Sequence, residues 1–197
     1  MSLQLAEINS ASKKKDFGRL EDGNHLARIV SVIDFGLQPQ TDYNTKEKID
    51  SKKIVTITFE TPDEQLTYTK DGEEVTKPRW ISKDYTLSMH EMAALYKLVK
   101  AIKPDCSSLD ELLNVPCMIN VGSTSGGKAK IVSVSKPMKG STVGELENDS
   151  FHFDFDNPSK ELYDGLLDWQ KKKLQEADNF PDSPLADLVS GGDNVDY

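Results

Sequence analysis

The chain has 197 residues, of which 37% are hydrophobic and 29% are charged, and its mean hydropathy is −0.54. This length suits one domain with extensions better than two full cores, and no apolar run approaches the roughly 18 residues of a membrane helix. The composition thus excludes a helical membrane protein. Because residues 1–15 also lack the apolar core of a secretory signal, we expect a cytoplasmic protein.

The charge is divided unevenly along the chain. The net charge is −9, yet residues 1–140 hold 20 basic and 19 acidic side chains, whereas residues 141–197 hold 4 basic and 14 acidic ones. This asymmetry separates a nearly neutral body from an acidic C-terminal arm. A basic surface for phosphate groups therefore remains compatible with the body, although the overall charge argues against it.

The chain has too few cysteines and histidines for a fold stabilised by disulfide bonds or by a structural metal. Cys106, Cys117 and three scattered histidines form neither a disulfide framework nor a zinc-binding spacing. We expect two reduced thiols, at least one of them in the core, and neither a metal nor another cofactor.

Three β-rich segments begin the body, at residues 25–35, 52–60 and 79–87. In the third segment, Ile81, Tyr85 and Leu87 alternate with Trp80 and Ser82, which is typical of a strand with one apolar face. These segments predict three consecutive strands.

The hydrophobic period then changes. Apolar residues from Leu95 to Ile102 recur at helical spacing, residues 88–91 match a capping box, and Pro104 follows, which together predict a helix of roughly four turns. Residues 108–111 predict one further helical turn. Residues 116–121 and 130–135 then predict two more strands, joined by a glycine-rich hairpin.

Three strands, a helix and two strands follow one another in the order of the OB-fold. That fold is a five-stranded barrel with a helix between strands 3 and 4. We therefore expect a mainly β domain over residues 17–140, preceded by a flexible arm at residues 1–16. An unspecified α+β domain with the same order of elements is the alternative.

Residues 141–197 form the acidic C-terminal arm, with a linker placed between residues 139 and 148. Residues 158–176 predict one loosely amphipathic helix, and residues 180–197 are rich in Asp, Gly, Pro and Ser. That composition predicts a largely disordered tip.

Residues 122–129 match a phosphate-binding loop at every position except the last, where Ala129 replaces the magnesium-binding hydroxyl. Such a loop also requires a helix after its lysine, whereas Lys128 precedes a β-rich run. A flexible hairpin is the better interpretation. Since no other catalytic motif is present, we expect a binding protein and not an enzyme. A phage-encoded enzyme whose site is assembled from distant residues is the remaining alternative.

The predicted barrel carries aromatic and basic residues on the segments that would line a groove. Unpaired bases stack on aromatic faces while lysine and arginine contact the phosphates. Trp80 and Arg79 are the strongest candidates, because Trp80 lies on the strand face opposite Ile81. The further candidates are Phe35, Tyr43 and Tyr68 for stacking and Lys46, Lys48, Lys52, Lys53, Lys77, Lys83, Lys128 and Lys130 for phosphate.

The chain ends in acids followed by an aromatic residue. Asp193, Asp196 and Tyr197 can imitate nucleic acid in a basic groove or bind a pocket of a partner protein. On this hypothesis, truncation after Lys139 preserves or tightens DNA binding and abolishes partner recruitment.

Residues 27–38, 53–60 and 79–88 resemble a bacteriophage family of single-stranded DNA-binding proteins, and the resemblance covers about residues 17–137. It implies an OB-fold that coats exposed strands during phage DNA replication or recombination, in the host cytoplasm and without a cofactor. The acidic tail would recruit replication or recombination proteins.

A second hypothesis keeps the fold and changes the ligand. An OB-fold adaptor in a replication or recombination complex would hold a peptide in its groove. The sequence leaves open whether the chain forms a homodimer.

Overall fold

A computed structural model describes residues 19–190 of the chain. Its strands are β1 (Gly23–Thr41), β2 (Lys48–Lys70), β3 (Glu73–Thr86), β4 (Pro116–Ser123), β5 (Ala129–Ser135) and β6 (Phe151–Phe153). Its helices are α1 (Ala94–Ile102), α2 (Lys160–Gly165), α3 (Asp168–Gln175) and α4 (Pro184–Ser190), with a 3₁₀ turn at Leu109–Leu112. The protein is mainly β, as the sequence predicted.

The strands form one six-stranded sheet around β1. The order is β3-β2-β1-β4-β5 with antiparallel neighbours, and the short β6 pairs in parallel with β1. Within residues 19–190, no ladder joins β3 to β5, so the sheet is not closed. The five predicted strands are all present, and the first three are longer than expected.

The central strand β1 is buried on both faces because two clusters of apolar side chains pack against it. Ala27, Ile29 and Val32 belong to the main core with β2, β4 and α1, whereas Ile33 and Phe35 belong to a second core. A register shift between Ile29 and Ser31 interrupts the alternation. Such a bulge bends the strand and changes which residues face the core.

Helix α1 packs on the main core through Leu95, Leu98, Val99 and Ile102. It has nine residues, fewer than the four turns expected, and the predicted capping box is wrong. Ala93 precedes the helix without a side-chain cap, and Ser88 Oγ instead accepts a hydrogen bond from the backbone nitrogen of His90 at 3.3 Å. Residues 88–93 therefore form turns, which shorten the helix.

Residues 124–128 connect β4 to β5 as a hairpin, as expected. The backbone nitrogen of Thr124 donates to the carbonyl of Lys128 at 2.8 Å, and strand β5, not a helix, begins directly after this lysine. Cys117 on β4 is fully buried and Cys106 is partly buried, both as free thiols. Burial raises the pKa of Cys117 to about 12, which keeps it protonated.

The C-terminal arm is folded onto the sheet. Its second core joins Ile33 and Phe35 of β1 to arm side chains, namely Phe153, Phe155, Tyr163, Leu166, Leu174, Ala177 and Leu185. The segment predicted as a linker is also tethered, because Arg28 donates to the carbonyls of Val143 and Gly144.

Two expectations for the arm are wrong. The single helix predicted over residues 158–176 is two short helices, α2 and α3, because Leu166 and Leu167 have extended backbones between them. Of the tip predicted to be disordered over residues 180–197, residues 180–190 are ordered, since Leu185 of α4 is fully buried, and residues 191–197 lie outside the described residues. No helix among residues 19–190 is long and apolar enough to cross a membrane.

Candidate nucleic-acid interface

Trp80 lies on the outer face of β3, opposite Glu60 of β2. Its side chain is 52% exposed, and the indole Nε1 donates a hydrogen bond to Glu60 Oε2 at 3.0 Å. The hydrogen bond orients the indole, and about half of the residue remains exposed to solvent. This is the arrangement that a stacking platform requires.

Glu60 is the anchor of this region and is completely buried. Besides the Trp80 indole, it accepts hydrogen bonds from the backbone nitrogen of Glu147 and from Asn148 Nδ2, each at 2.7 Å. A buried carboxylate requires such donors, because desolvation without them costs several kcal/mol. Glu60 thus ties β2, β3 and the arm together.

A depression of about 330 Å³ lies beside Trp80, and we call it the Trp80 groove. Exposed Tyr68 and Lys77, together with Arg79, contribute aromatic and cationic side chains to it. It is lined by Leu66, Tyr68, Lys77, Pro78, Arg79, Trp80 and Asn148. Four of the predicted site residues are therefore brought together.

The β4–β5 hairpin lies on the same side of the molecule as Arg79. Arg79 donates to the carbonyl of Arg19 at 2.8 Å, and Arg19 donates to the carbonyl of Gly127 at 2.6 Å. The predicted lysines of this hairpin, Lys128 and Lys130, are exposed. Their charges are available to a nucleic-acid strand that runs from the Trp80 groove towards the hairpin.

The β1–β2 connection is remote from Trp80. Lys48 lies twelve residues before Glu60 along β2, which corresponds to roughly 40 Å at about 3.3 Å per residue. Tyr43 is 85% exposed, with Lys46 Nζ 4.7 Å from its ring centre, and Lys48 and Lys52 are exposed nearby. None of these four residues lines the Trp80 groove, so that groove does not contain all the predicted residues.

Phe35 cannot be a stacking platform, which corrects the sequence prediction. Its ring is 0% exposed because the arm covers the outer face of β1. Trp169 of α3 stacks on it with ring centres 6.4 Å apart, and Lys173 Nζ lies 4.3 Å from its centre.

Lys53 is engaged by two carboxylates, and this accounts for its partial burial. Its Nζ lies 3.1 Å from Asp34 and 2.6 Å from Asp156. Burial lowers the pKa of Lys53, but the bonds and charges of Asp156 and Asp34 outweigh it and raise the pKa overall. The phosphate role predicted for Lys53 is thus not supported by its surroundings.

Lys83 lies where β3 approaches β5. Its Nζ donates to the carbonyl of Ile131 at 3.1 Å and lies 5.4 Å from the Tyr85 ring centre. Burial lowers the pKa of this lysine. The partly buried Lys83 therefore links β3 to β5 across the open side of the sheet and does not line the Trp80 groove.

Asp34, Asp154 and Asp156 are the described residues best placed to ligate a cation, with ligand atoms within 4.8 Å of one another. Lys53 already supplies positive charge to two of them. We therefore assign this cluster a structural role between β1, β2 and the arm.

Sequence analysis missed Glu60, Asn148 and Trp169 as site residues. The sequence placed Trp169 only within the loosely amphipathic segment 158–176 and Glu60 only at the end of the β-rich segment 52–60. The one available signal was that Trp169 and Trp80 are the two tryptophans of the chain. The predicted tail residues Asp193, Asp196 and Tyr197 lie outside the described residues.

Comparison with known proteins found no relative of this chain. No protein-family model matches this chain, and neither a curated protein nor a solved structure matches it. The functional argument therefore depends on the site alone.

Proposed function

We propose that the chain binds single-stranded DNA through the Trp80 groove and is not an enzyme. The observation that carries this proposal is the half-exposed indole of Trp80, oriented by buried Glu60 and flanked by Arg79 and Lys77. Aromatic rings that stack bases and cations that contact phosphates are the two elements of non-specific single-strand binding.

The proposed fold is an OB-type barrel that is open between β3 and β5. Its support is the strand order, the position of α1 between β3 and β4, and the contact of Lys83 with the Ile131 carbonyl at 3.1 Å. OB-folds are partly open barrels that bind oligonucleotides on the face of strands 2 and 3. Trp80 lies on β3 and faces away from the main core, which agrees with this mode.

The resemblance to phage single-stranded DNA-binding proteins favours a role in phage DNA replication or recombination, in the cytoplasm of the host. In that role the groove protects unpaired strands without strong sequence preference. The acidic tail recruits replication or recombination proteins.

The test is a titration of the full chain with fluorescent oligothymidine and with the matching duplex. We expect preference for the single strand, with affinity falling as salt rises from about 50 to 200 mM, because phosphate contacts release counterions. Trp80→Ala should weaken binding by about 1–3 kcal/mol, the usual contribution of one stacked base.

Tyr96→Ala is a matched control, since Tyr96 lies on α1 and does not line the Trp80 groove. Its affinity should equal that of the wild type. Equal affinity for duplex and single strand, or an unchanged Trp80→Ala variant, would overturn the proposal.

A protein adaptor is the second candidate, and the apolar surface beside α1 favours it. Met89 and Met92 are 54% and 72% exposed, and a cavity of about 300 Å³ lies near Leu95, Val99 and Leu109. Methionines are adaptable contact residues at protein interfaces. The adaptor hypothesis predicts no oligothymidine binding in the same titration.

A further inference from the structure

A third cavity, of about 220 Å³, lies between the outer face of the sheet and the C-terminal arm, and we call it the two-tryptophan pocket. Trp80 of β3 and Trp169 of α3 both line it, and each is 52% exposed. Trp80 also lines the Trp80 groove, so the two depressions adjoin at this ring.

Both indoles are held in place before any ligand arrives. Trp80 donates to Glu60 at 3.0 Å, and Trp169 stacks on buried Phe35 at an interplanar angle of 25°. Such rings lose little conformational freedom on binding, which favours affinity.

The pocket has polar groups between its aromatic walls. Ser31, Thr58, Ser82 and Gln170 line it, and the hydroxyls of Thr58 and Ser82 are 3.0 Å apart. Thr58 and Ser82 hydrogen-bond each other, and Gln170 Oε1 accepts from the Leu167 backbone nitrogen at 2.9 Å. A ligand with a polar edge can add bonds at the remaining acceptor sites of the two hydroxyls, which an apolar protein side chain cannot do. A nucleobase presents both a flat aromatic face and a hydrogen-bonding edge, so it matches both features.

The size and the charge around the pocket agree with a single base. Sites for drug-sized ligands measure about 300–1,000 Å³, so 220 Å³ suits a smaller planar group. Lys172 and Lys173 follow Trp169 by three and four residues in α3, and these spacings place side chains on one side of a helix. Lys173 pairs with Asp84 at 2.7 Å, whereas Lys172 is 76% exposed and its Nζ lies 3.8 Å from Glu176. Such an exposed ion pair is weak, so Lys172 is the cation that a phosphate beside the pocket can recruit.

The geometry points to a base-binding subsite: the two-tryptophan pocket accepts one unpaired base of single-stranded DNA between Trp80 and Trp169. The inference rests on the proposed function and deepens it, because it makes the arm part of the DNA site. Duplex DNA is excluded, since its bases are already paired and stacked.

The first experiment measures oligothymidine affinity of full-length variants by fluorescence anisotropy. Trp169→Ala should weaken binding roughly 5- to 150-fold, equivalent to about 1–3 kcal/mol for a lost stack, and Trp169→Phe should lose less because it keeps a ring. Tyr96→Ala is again the control for removal of an aromatic ring elsewhere. Wild-type affinity in Trp169→Ala would overturn the subsite.

The second experiment does not depend on the stability of Trp169→Ala. In Trp80→Phe, Trp169 is the one remaining tryptophan, so its fluorescence reports on the pocket alone. Oligothymidine should quench it, and the duplex should not. Unchanged fluorescence while anisotropy shows bound DNA overturns the subsite and leaves the proposed function intact, whereas absence of binding in the wild type overturns the proposed function itself.

Discussion

At the scale of single residues, Asp34 shows how closely opposed effects balance in this protein. Its side chain is only 6% exposed, and it accepts a hydrogen bond from the Gly36 backbone nitrogen at 2.9 Å and pairs with Lys53. Burial is the largest effect and raises the pKa of Asp34, although the Gly36 bond and Lys53 both lower it. Desolvation of the carboxylate thus outweighs its partners.

This balance predicts that the effect of Asp34→Asn on the free energy of unfolding depends on pH. An acid whose pKa is higher in the folded than in the unfolded chain reduces stability as pH rises from the ordinary value of 3.8 through the raised folded value. Asn cannot ionise, so the free energy of unfolding of the variant, relative to wild type, should increase between pH 3 and pH 7. Urea unfolding at the two pH values measures this difference.

Asp50→Asn is the control, because Asp50 is exposed on β2 and its replacement changes the net charge by the same amount. Its stability relative to wild type should change little with pH. A relative stability of Asp34→Asn that falls as pH rises would mean that the ion pair with Lys53 outweighs burial.

At the scale of elements, the contact between β1 and the arm depends on Gly36. This residue has a φ of +68°, in a region that favours glycine, and lies where the pairing of β1 with β2 shifts register. A Cβ atom there would lie 2.8 Å from Asn179 Oδ1 and 2.9 Å from the Phe155 ring. The absent side chain therefore allows the arm to approach the strand closely.

Gly36→Ala should consequently lower stability by more than backbone strain alone, which is about 1–2 kcal/mol. Gly140→Ala is the matched control: its φ is +90°, but a Cβ there meets nothing within 4 Å. Thermal unfolding of both variants measures the difference. Equal melting temperatures of the two variants would mean that the arm moves to accommodate the added methyl group without loss of stability.

The sequence pattern correctly predicted the strands that bury one face. It did not predict the burial of the second face of β1, which the C-terminal arm covers. Alternation located β1 to β5 because each places apolar side chains in the main core. The burial of Phe35 was missed because Phe153, Tyr163 and Trp169, which cover or contact it, lie more than a hundred residues later. Local periodicity contains no information about such distant partners. Trp80, by contrast, was recognised because the alternation within β3 alone places it on the face opposite Ile81.

At the scale of the whole molecule, the body and the arm share their stability. Phe153 and Phe155 are fully buried against β1, and two of the three donors to Glu60 come from residues 147 and 148. Removing buried phenylalanine side chains typically costs about 3–5 kcal/mol each, which is comparable to the stability of a whole domain.

Truncation after Lys139 should therefore give an unfolded or aggregating protein, in contrast to the expectation from sequence alone. Truncation after Ser190 removes Asp193, Asp196 and Tyr197 but keeps every described residue of the second core, so we expect this variant to unfold cooperatively. Circular dichroism melting and limited proteolysis compare the two. A cooperatively folded 1–139 fragment would contradict this account of the arm.

The parallel pairing of β6 with β1 also has a consequence for biosynthesis. Phe151–Phe153 pairs with Ser31–Ile33, so a ribosome must add well over a hundred residues before this edge of the central strand gains its neighbour. Until then the nascent polypeptide exposes Ile33 and Phe35 beside an unpaired backbone, a combination that promotes self-association. Premature termination before Phe151 should thus yield insoluble products.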